Sequence, residues 1–181
     1  MKLKLLVLVV GLQAAWMVAT TVMQEWVLAR GRTILLETRP VDPRDMLRGD
    51  YVILRYKISD VPLNLFTPPL TNSPTEGSKV YVVLEKRGEF HEIVRVATNT
   101  PQANENQVVL RGRVERGWWS TGTNSASVEY GLERFYVSEG TGNPTGKLTV
   151  QVAAPSSGNG MIKELFVDGK PFREAMMKGR K

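Results

Sequence analysis

Hydrophobic positions follow two different patterns along the chain. Leu5–Met23 form an uncharged run of 19 residues behind Lys2 and Lys4. A helix of that length rises about 28 Å, close to the hydrocarbon thickness of a bilayer. Beyond it, short runs rich in Val, Ile and Leu alternate with turn residues, a pattern typical of β-strands. The sequence therefore predicts contact with the lipid bilayer through residues 5–23, followed by a β-rich body.

The rest of the chain reads as short strands between turns, with two exceptions. Glu25–Leu36 are expected to continue the helix until Pro40, which disfavours helical geometry in the residue before it. Asp60–Ser78 contain four prolines and predict an irregular surface segment. The predicted strands are Tyr51–Ser59, Lys79–Lys86, His91–Ala97, Gln107–Glu115, Ser127–Tyr130, Lys147–Ala153 and Met161–Val167.

The fold class expected from this order is mainly β. One N-terminal transmembrane helix, residues 1–30, precedes one β-rich, sandwich- or barrel-like extracytoplasmic domain, residues 31–181. A cleaved signal peptide is the alternative, with Leu5–Val10 as its apolar core. No clean small-x-small triplet precedes a plausible cleavage point, which favours a retained signal anchor. The short basic N-terminus and the long following domain favour an N-terminus inside and a domain outside.

The composition excludes several kinds of functional site. The chain has no cysteine, which excludes disulfides, thiolate metal sites and cysteine nucleophiles. Its net charge of +6 includes a basic C-terminal stretch, which is typical of a solvated tail or of contact with anionic headgroups. No basic helix with interleaved aromatic residues is present, so we expect no nucleic-acid partner. We expect no cofactor.

Residues 49–56 read Gly-Asp-Tyr-Val-Ile-Leu-Arg-Tyr, and they follow the lead-in Val-Asp-Pro-Arg-Asp-Met-Leu-Arg. The octet and its lead-in resemble the GDYXXLXY family of bacterial membrane-anchored proteins. Residues 129–140 resemble the second block of that family, and residues 165–169 resemble its last strand and turn. The resemblance implies a place in the bacterial inner membrane with the domain on the periplasmic side, and an integral, multi-spanning membrane partner. It implies no reaction.

The residues that carry this resemblance are expected to be structural or to recognise a partner, and none is predicted to be catalytic, to bind a cofactor or to bind a metal. They are Asp42, Pro43, Arg44, Asp45, Gly49, Asp50, Tyr51, Leu54, Tyr56, Tyr130, Gly131, Glu133, Glu139 and Gly140.

Three carboxylates before the octet present an alternative. Asp42, Asp45 and Asp50 lie within nine residues and could supply oxygen ligands to a hard cation such as calcium. Arginines interleave with them, so ion pairs or turns in which Asp bonds the backbone explain the pattern without a metal.

Alternation within the octet indicates which residues are buried. Val52, Leu54, Tyr56 and Ile58 would share one face of a strand, so we expect Tyr56 in the core with its hydroxyl hydrogen-bonded. Tyr51 lies on the opposite, mixed face, either exposed or covered by the second motif. His91, the only histidine, could form an acid–base pair with Glu89, but an exposed hairpin position is the simpler expectation.

Two enzymatic alternatives remain open. Carboxylates of the two motifs could serve an envelope hydrolase, a chemistry that needs a defined carboxyl separation and a cleft. Residues 46–52 also resemble the strand opening of signal-peptidase-like β-folds, which would make the protein a catalytically dead relative, because Arg39–Arg48 contain no serine nucleophile. The second motif is expected to be a bent strand or short helical turn, with Gly131 and Gly140 at positions that need unusual backbone angles.

Overall fold

The computed structural model describes residues 2–39, 51–70, 74–115, 124–138, 144 and 146–178, with side chains to residue 176. Helix α1 runs over Lys2–Arg30, and strand β1, Arg32–Glu37, begins two residues after its end. The prediction that helix continues to Leu36 is therefore wrong. Ile34 and Leu36 are buried and alternate with half-buried neighbours, so the segment has the period of a strand.

The remaining elements are mostly short antiparallel strands. After β1 come β2 (Tyr51–Ile53), β3 (Asp60–Pro62), β4 (Lys79–Arg87), β5 (Phe90–Ala97), β6 (Gln107–Glu115), β7 (Ser125–Glu129), β8 (Arg134–Tyr136), β9 (Leu148–Ala154), β10 (Met161–Val167), β11 (Lys170–Pro171) and helix α2 (Phe172–Lys178). Single 3₁₀ turns lie at Lys57–Ser59 and Leu63–Leu65.

Within this described part of the chain the strands form three antiparallel sheets. The larger two have the orders β3-β7-β6-β4-β5 and β1-β9-β10-β11, and β2 pairs with β8 in a small third sheet. The two larger sheets face each other across one core, since a Cβ added at Gly160 would lie 3.0 Å from Val152 of one sheet and 3.1 Å from Leu110 of the other. The mainly β fold after an N-terminal apolar helix, expected from the sequence, is confirmed.

Two predictions about residues 51–78 are corrected by this arrangement. Tyr51–Ser59 are not one strand, because β2 ends at Ile53 and a 3₁₀ turn begins at Lys57. The proline-rich segment is not purely a surface excursion: it contributes β3, and Val61, Leu63 and Phe66 are buried. Apolar side chains between the prolines reach the core, which outweighs the lost backbone hydrogen bonds.

Helix α1 is long and apolar enough to cross a membrane, with a mean hydropathy of 2.1 over its most apolar stretch, and none of its residues is buried. It fits a single-pass anchor. The junction with the domain is tight, because Gly31 N donates to Val27 O at 2.8 Å while β1 begins at the next residue. A Cβ at Gly31 would lie 2.5 Å from Val27 O and 3.1 Å from Ala153 Cβ, so the domain packs directly on the end of the helix.

Candidate functional site

The small third sheet brings the two sequence motifs together. Strand β2 belongs to the octet and β8 to the second motif, and they pair in the register Tyr51 with Tyr136, Val52 with Phe135 and Ile53 with Arg134. Opposite residues of an antiparallel pair share a face. One face therefore carries Val52 and Phe135 towards the core, where the Phe135 ring meets Phe172 of α2 edge-on at 5.6 Å.

Two buried tyrosines fasten the motifs on the core side. The Tyr56 hydroxyl donates to Leu132 O at 2.6 Å, and the Tyr130 hydroxyl donates to Ile58 O, also at 2.6 Å. The Tyr56 side chain thus links the octet to the second motif. The Tyr130 side chain links the second motif to Ile58, two residues after the octet. Burial raises the pKa of both hydroxyls well above the usual value, so each stays a neutral donor. The expectation that Tyr56 is a core residue with a satisfied hydroxyl is confirmed.

Glu133 closes the loop between β7 and β8. Its carboxylate accepts a hydrogen bond from Tyr130 N at 2.7 Å, and its own carbonyl accepts one from Leu54 N at 2.8 Å. Burial raises the pKa of this carboxyl, while the backbone amides of residues 130–133 act in the opposite direction. Gly131 has a φ of +76°, so the turn requires the unusual backbone angle that the sequence predicts. Glu133 is therefore used inside its own loop.

An acidic residue outside the predicted set completes this buried polar region. Asp60 forms ion pairs with Arg39 and with Arg55, the latter at 2.7 Å, and its side chain is only 8% exposed. Arg39 N also donates to Arg55 O at 2.7 Å. A lone Asp shortly before a proline has no pattern in the sequence that distinguishes it from a turn residue.

The other face of the β2–β8 sheet is partly exposed and carries an aromatic patch formed by Tyr51, Arg134 and Tyr136. The Tyr51 and Tyr136 ring centroids lie 5.9 Å apart, and the Arg134 guanidinium carbon lies 5.5 Å from the Tyr51 centroid, within the range of a cation–π contact. Tyr136 is 71% exposed, an unusual exposure for an aromatic side chain of the domain. Tyr51 is thus half-exposed beside the second motif, as expected.

Family membership follows from the extent of the match to a family model. The model described as "GDYXXLXY protein" matches residues 13–165, which is more than half of the chain. The chain belongs to the GDYXXLXY family. No curated protein and no solved structure matches it. In this GDYXXLXY protein the match includes β2, β8 and the second half of α1, so the family's defining region contains the helix junction as well as the paired motifs.

Several motif residues of the GDYXXLXY family lie outside the described part of the chain. They are Asp42, Pro43, Arg44, Asp45, Gly49, Asp50, Glu139 and Gly140. The pairing of these aspartates with arginines or backbone amides therefore stays a prediction, with calcium binding as its alternative. Among the described residues, no group of three or more His, Asp or Glu side chains could hold a metal ion.

Two carboxyls lie close together on β6 and β7, and one of them, Glu129, has a raised pKa. Partial burial, a hydrogen bond to Glu115 and the charge of Glu115 together raise the pKa of Glu129 to about 7, and Glu133 adds a smaller effect in the same direction. Glu115 and Glu129 lie on the same outward face, since Glu129 pairs with Arg113 and Glu115 with Ser127. The Glu129 carboxyl therefore holds its proton to a higher pH than an ordinary glutamic acid does. The sequence places Glu129 in the second motif but contains no signal that pairs it with Glu115.

His91 differs from its predicted role as an exposed hairpin residue. It is half-buried in β5, and its Nδ1 accepts a hydrogen bond from Leu35 N of β1 at 3.3 Å. Burial lowers the pKa of the imidazole. His91 thus joins the edges of the two larger sheets. The sequence could indicate this contact only if β1 were recognised as a strand, and the apolar spacing of β1 also fits a helix.

Proposed function

We propose that this GDYXXLXY protein is a bitopic protein of the bacterial inner membrane, with its N-terminus in the cytoplasm and its β-domain in the periplasm. It acts as a non-catalytic binding or accessory subunit of a multi-spanning membrane protein. The basic N-terminal residues Lys2 and Lys4, placed before the apolar helix, support this orientation.

The observation that carries this proposal is the state of α1. Its apolar surface is unburied along the whole helix, although its last turn is packed against β9 of the domain. A helix that is apolar all round requires lipid or neighbouring helices as its surroundings. This arrangement supports a partner that contacts α1 within the bilayer and the domain beside it.

The aromatic patch is the second part of the proposed binding surface. Tyrosine and arginine are enriched in the energetically important centres of protein interfaces, because they combine a large contact area with hydrogen-bonding groups. Tyr136 presents such a side chain to solvent, and the cation–π contact holds Arg134 beside Tyr51. The core side of the same motifs is occupied by internal hydrogen bonds, which leaves this outer face for recognition.

Fractionation tests the anchor. We expect the full-length chain in the inner-membrane fraction, with the domain cleaved by protease from the periplasmic side. A shortened soluble species with a new N-terminus between Ala15 and Gln24 would refute the retained anchor. Protease access only from the cytoplasmic side would refute the orientation.

Site-specific photocrosslinking in cells tests the binding face. A photoreactive residue in place of Tyr136 should give one discrete adduct with a multi-spanning protein, and the adduct should weaken in an Arg134→Ala background. The matched control is the same residue in place of Glu92, which is exposed on the β4–β5 hairpin. Identical adducts from both positions would refute the aromatic patch as the binding surface.

The envelope-hydrolase alternative is favoured by one observation, the raised pKa of Glu129 beside the Glu115 carboxyl. A carboxyl with a pKa near 7 suits general acid–base chemistry. The pair nevertheless lies on the outward face of β6 and β7, and Glu133 is used by its own loop. If Glu129→Gln keeps the biological activity of the wild type, the hydrolase alternative is rejected. If Glu129→Gln loses that activity while its crosslinking is unchanged, the hydrolase alternative is favoured.

A further inference from the structure

A cavity of about 730 Å³ lies where α1 meets the domain. The last two turns of the helix form one wall, through Trp26, Val27 and Arg30. The ends of β1, β6 and β9, Tyr81 of β4 and the loops beside these strands form the rest, including Arg32, Val108 and Pro155. Its size falls within the range of small-molecule sites, about 300–1,000 Å³.

The position of this junction cavity relative to the apolar helix fixes its surroundings. The uncharged run ends at Met23, and Trp26 follows within one turn. Tryptophan at that point of a spanning helix lies at the level of the lipid headgroups. Because β1 begins two residues after Arg30, the loops of the domain close the cavity at the same level. Its opening is therefore next to the headgroup layer.

The lining is suited to an amphipathic anion. Val27, Val108 and Pro155 provide an apolar wall, and Arg30 and Arg32 contribute two guanidinium groups against one carboxylate of the described lining, that of Glu105. The Arg30 guanidinium carbon lies 5.5 Å from the Trp26 ring centroid, and Arg32 Nη1 donates to Gln107 O at 2.8 Å. These contacts position both groups without neutralising them, and neither arginine forms an ion pair with a carboxylate of the described chain.

We infer that the junction cavity binds the phosphate of an anionic phospholipid, with Arg30 and Arg32 as its donors and the apolar wall against the start of the acyl chains. The inference rests on the proposed function in one respect, that α1 stays in the bilayer. Guanidinium groups match phosphate oxygens in geometry and charge, and lipid supplies phosphate at this depth. The bound lipid fills the space between helix and domain.

Native mass spectrometry of the full chain in detergent tests the inference. Phosphatidylglycerol and phosphatidylcholine with identical acyl chains are titrated against the wild type and against Arg30→Gln/Arg32→Gln. The matched control, Arg87→Gln/Arg173→Gln, removes the same charge from exposed positions outside the cavity. We expect the wild type to prefer phosphatidylglycerol, and the preference to fall about fivefold for each cavity arginine removed. The control should keep it.

A second variant tests lipid binding in the cavity without changing either arginine. Ser156→Asp places a carboxylate in the lining and should also weaken phosphatidylglycerol binding. Equal binding of both lipids by the wild type, or a preference that survives in Arg30→Gln/Arg32→Gln, would overturn the inference. Displacement of bound lipid by glycerol 3-phosphate would overturn the lipid assignment in favour of a soluble phosphate. The same spectra report the chain mass, so loss of the anchor, which would refute the proposed function, is seen separately.

Discussion

The Tyr56 hydroxyl donates a 2.6 Å hydrogen bond to the carbonyl oxygen of Leu132, and both residues are buried. This bond joins the last residue of the octet to the second motif, 76 positions later. The reciprocal bond from Tyr130 to Ile58 makes the connection double. Two separated motifs of the family therefore act as one structural unit.

Tyr56→Phe should destabilise the protein. Removal of the hydroxyl leaves a buried carbonyl without its donor, at a cost of about 1–3 kcal/mol. The free energy of unfolding of the full chain, measured by urea denaturation in detergent, reports this loss. Tyr136→Phe makes the same chemical change on the solvent face and should alter stability by less than about 0.5 kcal/mol. Equal effects of the two substitutions would contradict the buried bond.

Leu54→Ala should be more damaging. Leu54 is 2% exposed within the main core, and deletion of such a side chain costs about 2–5 kcal/mol through lost transfer energy and the cavity left behind. Leu12→Ala, on the unburied surface of α1, is the control and should leave the unfolding of the domain unchanged. A loss below about 1 kcal/mol for Leu54→Ala would show that this position does not contribute to the core.

Gly131 offers a test of backbone conformation without a steric clash. Its φ is +76°, and beyond its chain neighbours no atom of the described residues lies within 4 Å of the position that a Cβ would take. Gly131→Ala should still cost about 1–2 kcal/mol, because L-residues with a Cβ disfavour the left-handed region. Gly131→Asn should cost less, since asparagine tolerates that region. Thermal unfolding compares the two, and an equal cost would point away from backbone strain.

Glu129 predicts a pH dependence of stability. Its pKa rises from 4.5 to about 7 on folding, so the folded state binds the proton more tightly than the unfolded state. The resulting stabilisation is present in full below pH 4.5 and is lost as the pH rises to about 7. Glu129→Gln should remove this fall in stability.

The comparison must be made between Glu129→Gln and the wild type, because His91 acts in the opposite direction. Its lowered pKa favours protonation of the unfolded state as the pH falls below 6.5. Urea unfolding at several pH values between 4.5 and 7 gives the difference. A pH profile that is the same for both proteins would contradict the perturbed carboxyl.

Local pattern is sufficient for much of this fold. Alternation identifies the faces of β4, β6 and β9, and the turn at Asp168 is marked by its glycine neighbour. The local pattern does not identify β1 as a strand, since Glu25–Leu36 has apolar residues at helical as well as strand spacing. Pairing with β9 decides between the two, and that contact lies more than 110 residues away.

The candidate site shows the same division. Alternation of its neighbours places Tyr56 in the core, and a bent second motif requires an unusual backbone angle at Gly131. Asp60 and the Glu115–Glu129 pair have no such local signal, because their roles depend on which strands adjoin. The exposed face of β2 and β8 likewise exists only once the two motifs pair.

The single-residue junction at Gly31 has a mechanical consequence. A flexible tether would let the domain sample many orientations, whereas the packing at Gly31 restricts the orientations that the domain can take relative to α1. Rotation or tilting of α1 would then move the aromatic patch with it. The direction that Tyr136 faces would therefore depend on the orientation of α1.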